Sequence, residues 1–396
     1  MEDTLIQIVN GKVITPQGVD RQARLVLKAG RIAEITREQG GVEGAQTIDA
    51  QGAYVAPGCI DTHLHGGDGH DFTEATPEAF RAIAYAHATQ GVTTLYPTLA
   101  VAPTTVFRQA IKACETVVSQ PYEGARIEGL HLEGNYINPL LKGGQDERFI
   151  QLPDPAEYQE LLESTRLIKR WTAAPELPGA LEFARYAHSK GILVSLGHTA
   201  ADYPTVKRAY EAGFTHATHF YNAMSGVHKQ REYKHEGTIE SVYLVPEMTV
   251  ELVADGIHVP PAILRLVCAF KGIDRISLIS DAMAAAACLR PEHLHLDPRM
   301  IVEDGVCKLA DRSALTGSIA SGIRLIQVMA EKAEIPVADC VRMAATNPAR
   351  LMSINDRKGS IERGKDADLI LFDENFHLQS VWIGGKQLGM EKRRFN

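Results

Sequence analysis

Between residues 57 and 281 the chain alternates eight short apolar runs with segments patterned for amphipathic helices, and nothing else in the sequence constrains the fold as strongly. The runs at 57–65, 92–100, 126–133, 167–174, 192–198, 214–219, 248–255 and 276–281 have strand length and carry few charges. Helical patterns stand between several of them, at 77–90, 180–190, 205–213 and 261–271. Eight such β–α alternations predict a TIM-type (β/α)8 barrel rather than an open sheet. The first fifty residues read differently. The stretches 5–16, 23–36 and 45–58 pair β-type runs across Gly, Asn or Pro, as hairpins do, and 359–388 has the same character. The chain is therefore expected to fold as a barrel over 57–358 with a small β-sandwich contributed by both ends, 1–56 and 359–396.

A barrel of this type builds its site where the strands end, so the polar residues that finish these runs carry the functional argument. Strand one ends in His63-x-His65, strand three in Glu133, strand five in His198, strand six in His219 and strand eight in Asp281. His63 and His65, two apart on a strand, point to one face and make a good half-site for a divalent metal. Glu133 closes an apolar run, and a buried carboxylate there must be paired or ligated. His131 shares its face and is a candidate supporting or substrate contact. Of His216 and His219, the odd separation predicts opposite faces, and His219, nearer the strand end, is the expected ligand. Each residue alone has a plainer reading: a satisfied core histidine for His198, a salt bridge for Glu133, a helix N-cap for Asp281. Five strand ends carrying ligand-type groups together make those readings the weaker ones.

Composition narrows the partners. The 396 residues carry 41 Lys plus Arg against 49 Asp plus Glu, a formal net charge of -8, which argues against nucleic acid as the main partner. No apolar run approaches the ~18 residues of a membrane span, and the first residues lack a signal-peptide pattern. Cys59, Cys114, Cys268, Cys288, Cys307 and Cys340 are scattered with no C-x-x-C pair, as reduced thiols of a cytoplasmic protein would be.

The segments PGCIDTHLH, GLHLEG, GHT, THFYNAM, DGIHV, SDAM, LTGS and TNPA occur in an order and spacing that resemble the N-acetylglucosamine-6-phosphate deacetylases of the amidohydrolase superfamily. The resemblance covers nearly the whole chain. It implies that Glu133, His198 and His219 bind the essential metal, and that His63 and His65, with Glu133 bridging, supply a second site. One or two divalent ions per subunit follow, zinc first, with iron, manganese and cobalt also compatible. The resemblance assigns the sugar to Gly144, Asn222, Ala223, His258, Leu315, Thr316 and Gly317, and the phosphate to Arg231. It departs at Asn135, where the family has proline, and at REYKHEG, where the family has REPG.

The implied reaction removes the acetyl group of N-acetylglucosamine-6-phosphate in amino-sugar catabolism. The metal would activate water, and Asp281 would serve as base and then as acid. A homodimer is the implied assembly. Another amidohydrolase, D-aminoacylase-like or dipeptidase-like and acting on a different N-acyl or cyclic amide, is the alternative; many of these bridge their metals with a carboxylated lysine, a position that falls to Glu133 here. A non-catalytic barrel is the third reading, and the full ligand set argues against it.

Overall fold

The structure, a computed structural model, describes residues 5–38, 40–289 and 297–389. All eight expected barrel strands form: Cys59–Leu64, Val92–Leu99, Leu130–Glu133, Ile168–Ala173, Leu193–Leu196, Phe214–Ala217, Thr249–Val253 and Ile276–Ile279. Each pairs in parallel with the next. The ring closes at its mouth, where the Asp281 N–H donates to His63 O at 2.9 Å. Strand one is buried along its entire length, as a strand covered on both faces must be, so its polar residues Asp61, Thr62 and His63 are buried with it.

The helices start and stop on local chemistry. Pro77–Ala88 follows Thr76, whose side chain accepts from the Ala79 N–H, and opens on proline. Tyr203–Ala212 is capped by Asp202 in the same way and ends at Gly213, whose φ of 113° favours a residue without Cβ. Pro261–Lys271 spans the residues expected of it. Three further long helices, Thr104–Val118, Pro155–Ser164 and Ile323–Glu331, add to the outer layer and were not among the segments singled out in the sequence. After strand eight the chain adds a three-stranded antiparallel sheet, Met300–Glu303, Val306–Leu309 and Leu315–Ser318.

The chain ends build two further sheets around a separate apolar core, in which Ile6, Ile8, Leu25 and Leu27 meet Ile361, Leu369, Leu371 and Trp382. Of the three expected hairpins only Arg24–Lys28 with Arg31–Thr36 forms. Ile6–Val9 and Lys12–Thr15 go to different sheets, as do Gln46–Asp49 and Tyr54–Pro57. Ile6–Val9 lies parallel to Gln46–Asp49, and Lys12–Thr15 parallel to Tyr54–Pro57. The turns at Asn10-Gly11 and Gln51-Gly52 thus cross between sheets instead of folding a strand back on itself. The first sheet is wholly N-terminal, and the second takes three strands from each end. Cys59, Cys114, Cys268, Cys307 and Cys340 are buried thiols.

Candidate metal centre and active site

Glu133 is the hub of the barrel mouth. Its Oε1 lies 3.0 Å from His219 Nε2, 3.2 Å from His198 Nε2 and 3.3 Å from His63 Nε2, and its Oε2 lies 3.2 Å from His65 Nε2. These residues form two overlapping groups able to hold a metal ion, His63–His65–Glu133 and Glu133–His198–His219, in each of which the ligand atoms lie within 4.8 Å of one another. Asp281 Oδ1 stands 3.3 Å from His65 Nε2 and 3.5 Å from His63 Nε2.

The donor set suits a divalent ion. Three of the four imidazoles have Nδ1 engaged: His63 with Glu251 Oε1 at 2.7 Å, His198 with Leu141 O at 2.8 Å, His219 with Asn222 O at 3.1 Å. A proton held on Nδ1 leaves the Nε2 lone pair facing Glu133, the arrangement metal-binding histidines adopt. His63 Nε2 is buried and makes no hydrogen bond, so a proton or a cation is what it lacks as a partner. The charges point the same way. Burial alone would depress the His63 pKa, but Glu133, Glu251 and Asp281 outweigh it and raise it to about 9. Burial likewise opposes ionisation of Glu133 and Asp281, and the surrounding imidazoles overcome it and hold both below their ordinary values. A site that draws protons onto imidazole in this way would draw a divalent cation too.

Local backbone aims these groups. His198, His219 and Asp281 have φ of 49°, 30° and 49°, uncommon for residues other than glycine and concentrated where the strands turn into loops. His219 lies two residues beyond the end of strand six at Ala217, and there the alternation of faces no longer applies. His216 is therefore buried in the same interior, not on the opposite face: its Nε2 lies 3.4 Å from Glu251 Oε2 and its Nδ1 2.7 Å from Thr249 Oγ1, away from Glu133. His131 is held by Thr98 and Thr172, its ring edge-on to His63 at 4.7 Å, and takes no part in the cavity wall. No helix starts at Asp281; among the described residues the next one begins at Ile323.

A cavity of about 410 Å³ opens above Glu133. Of the expected sugar residues, Gly144, Asn222, Ala223, His258, Leu315, Thr316 and Gly317 all line it. His258 Nδ1 is 2.7 Å from Asp255 Oδ2; burial would lower its pKa, but Asp255 raises it. Arg231 is not brought there. It occupies the turn of an exposed hairpin, His228–Gln230 with Tyr233–His235, at a φ of 57°. No lysine or arginine lines the cavity among the described residues. Asn135 follows a cis peptide bond, and its side-chain amide exchanges two hydrogen bonds with the Ala102 backbone, at 2.9 and 3.1 Å.

Three polar groups went unnoticed in the sequence. Gln145 donates to Glu133 Oε2 at 2.7 Å. Glu251 and Arg170 form an ion pair with no solvent exposure beneath His63. Their signal was a charge in mid-strand within MTVELVAD and LIKRWTAA, where an apolar run offers it no water.

A parallel (β/α)8 barrel with imidazoles and carboxylates gathered at the strand ends defines a metal-dependent barrel hydrolase. The chain belongs to the amidohydrolase family, whose model matches residues 54–388. It is similar to an N-acetylgalactosamine-6-phosphate deacetylase of Escherichia coli O157:H7, at 32% identity over 84% of this chain and 87% of that one. It is also similar to an N-acetylglucosamine-6-phosphate deacetylase of Haemophilus influenzae, at 30% identity over 96% and 98%. Among solved structures, the N-acetylglucosamine-6-phosphate deacetylase from Pasteurella multocida superposes with a TM-score of 0.88 at 28% identity, covering 97% of this chain and 99% of that chain.

Proposed function

We propose that the protein removes the acetyl group from N-acetylglucosamine-6-phosphate, giving glucosamine-6-phosphate and acetate, as a step of amino-sugar catabolism. The observation that carries this reading is the pair of ligand groups sharing Glu133 at the floor of the cavity, with Asp281 beside them. Glu133, His198 and His219 would hold the essential ion, and His63 and His65 a second one. When bound, a divalent ion supplies Lewis acidity toward water and toward an amide carbonyl oxygen. Zinc suits these nitrogen and carboxylate donors; iron, manganese and cobalt are also accommodated by them.

Asp281 moves the protons. Held ionised by His63 and His65, its carboxylate accepts a proton from the attacking water and then delivers it to the departing sugar nitrogen, acting as base and acid in turn. The cavity wall orients the sugar. Asn222 and Thr316 offer side-chain hydrogen bonds, Gly144 and Gly317 allow close approach of backbone, and His258, held by Asp255, presents Nε2. Arg231, on the exposed hairpin, is the guanidinium we assign to the phosphate, because its planar fork can hold two phosphate oxygens. We propose a homodimer as the assembly, on the strength of the family resemblance. No described helix is long and apolar enough to cross a membrane.

The similarity to an N-acetylgalactosamine-6-phosphate deacetylase supports a second reading that differs only in the epimer at one sugar carbon. One experiment tests both. Deacetylation of the two sugar phosphates and of unphosphorylated N-acetylglucosamine is compared, with and without a chelator, and metal content is measured on the same sample. Chelator-sensitive turnover fastest on N-acetylglucosamine-6-phosphate is the expected result. Preference for the galacto epimer would establish the second reading, and turnover of none of the three would reject both.

A further inference from the structure

Beneath the metal groups lies a pair of charges that the proposed reaction does not use. Glu251, in strand seven, and Arg170, in strand four, are both fully buried. All five guanidinium protons have acceptors: Glu251 Oε2 at 2.5 Å and Oε1 at 2.8 Å, Ser195 Oγ at 3.0 Å, Thr218 Oγ1 at 3.0 Å and Thr62 O at 3.3 Å. Glu251 Oε1 also meets His63 Nδ1 at 2.7 Å and accepts from the His219 backbone N–H at 3.0 Å. A buried ion pair is poor value for stability, since an apolar pair of similar volume often serves as well. Its use must be sought in what it touches, and it touches both ligand groups.

The contacts differ in kind. His198 and His219 present Nδ1 to backbone carbonyls, which are neutral dipoles. His63 presents Nδ1 to a full negative charge, which fixes the ring orientation and raises the basicity of Nε2. We propose that Glu251 is a positioning residue for the metal centre, holding His63 with its proton on Nδ1 so that Nε2 is offered to an ion in the His63–His65–Glu133 group, while Arg170 holds Glu251 in place. The proposal rests on the metal-centre reading above and assigns to that reading a residue outside the ligand set.

The test uses zinc alone, on the full chain. Wild-type protein and Glu251→Gln are loaded with zinc, dialysed, and titrated against a chromophoric chelator. Wild type is expected to hold two ions. The variant should lose affinity at one of them by roughly 10- to 100-fold, the usual effect of removing such a partner, and keep the other within a few-fold. A merely structural role would weaken both sites together. Because removing a buried carboxylate beside Arg170 can impair folding, nitrogen NMR of ¹⁵N-histidine-labelled, zinc-loaded wild type gives an independent answer. His63 should carry its proton on Nδ1 and show a metal shift on Nε2. Unchanged affinities in Glu251→Gln, equal weakening of both sites, a proton on His63 Nε2, or a single bound zinc that leaves the His63 resonances unshifted would each overturn the proposal. Wild-type protein that binds no zinc at all would instead reject the metal-centre reading, and that result appears before any variant is made.

Discussion

The two ligand groups share Glu133 and differ in how their histidines are braced. Glu133, His198 and His219 all face the cavity, and Nδ1 of the two histidines rests on Leu141 O and Asn222 O, carbonyls of loops that themselves line it or stand at its edge. His63 is absent from the cavity wall and is braced from below by Glu251. One group is thus built by the loops that would hold substrate, and the other runs from His65 on the cavity wall down to His63 in the barrel interior. Loops tolerate change while a packed interior resists it, so the cavity-facing group is tied to specificity and the deep group to the scaffold. The contrast predicts that the two can be separated by substitution.

The largest effect is expected in the cavity-facing group. His198→Ala or His219→Ala removes one of three donors, and activity should fall by roughly 10⁴-fold or more, with loss of the tighter-bound metal. Metal analysis on dialysed protein decides it: loss of one ion with activity intact would put the essential ion in the deep group. Asp281→Asn comes next. Its carboxylate lies against the imidazoles of the deep group, yet its proposed task is proton transfer, so turnover should drop by about 10²–10⁴ while metal content stays nearly constant. A variant that kept more than about a tenth of wild-type turnover would remove Asp281 from that role.

This division was only half visible in the sequence. The eight strands were legible because their largely apolar runs are covered on both faces, and the six ligand-type residues because they finish five of those runs. The supporting groups were not. Glu251 and Arg170 sit in mid-strand, and a charge there signals a buried partner without naming it, because the partner lies across the barrel. His216 was misplaced because alternation holds only while the chain is extended, and strand six stops at Ala217. The N-terminal turns misled for a related reason. A short Gly-containing turn looks the same whether it joins neighbours in one sheet or crosses between two, and only long-range pairing distinguishes them.

A smaller effect is expected at Arg231, which tests how far the cavity-facing half extends. The hairpin that carries it is exposed, and the cavity wall has no arginine or lysine among its described residues. If the guanidinium binds phosphate, Arg231→Ala should reduce kcat/KM for N-acetylglucosamine-6-phosphate by roughly ten- to a hundredfold, mostly through KM. The unphosphorylated sugar offers nothing to the guanidinium, and its turnover should stay as it was. Equal losses for both sugars would mean that Arg231 supports the hairpin and that phosphate is read elsewhere.

The smallest effect on catalysis is expected from the deep group. Replacing both His63 and His65 with alanine leaves Glu133, His198 and His219 in place, and three protein donors with an open position are what a catalytic zinc requires. Metal stoichiometry should fall by one ion per chain while kcat keeps a substantial share, within about tenfold of wild type. Two features limit how complete the separation can be. Glu133 Oε2 loses its contact with His65 and keeps Gln145 as a donor, so the carboxylate remains oriented. Asp281 loses both imidazoles that favour its ionised form and is left with the cost of burial, so part of the activity loss should reflect a poorer base. Measuring metal content and kcat on the same preparation separates these contributions. Loss of one ion with modest loss of rate would establish that the groups are divisible. Loss of every ion would mean that the cavity-facing group cannot hold metal without its buried neighbour, and the two halves would then have to be treated as one centre.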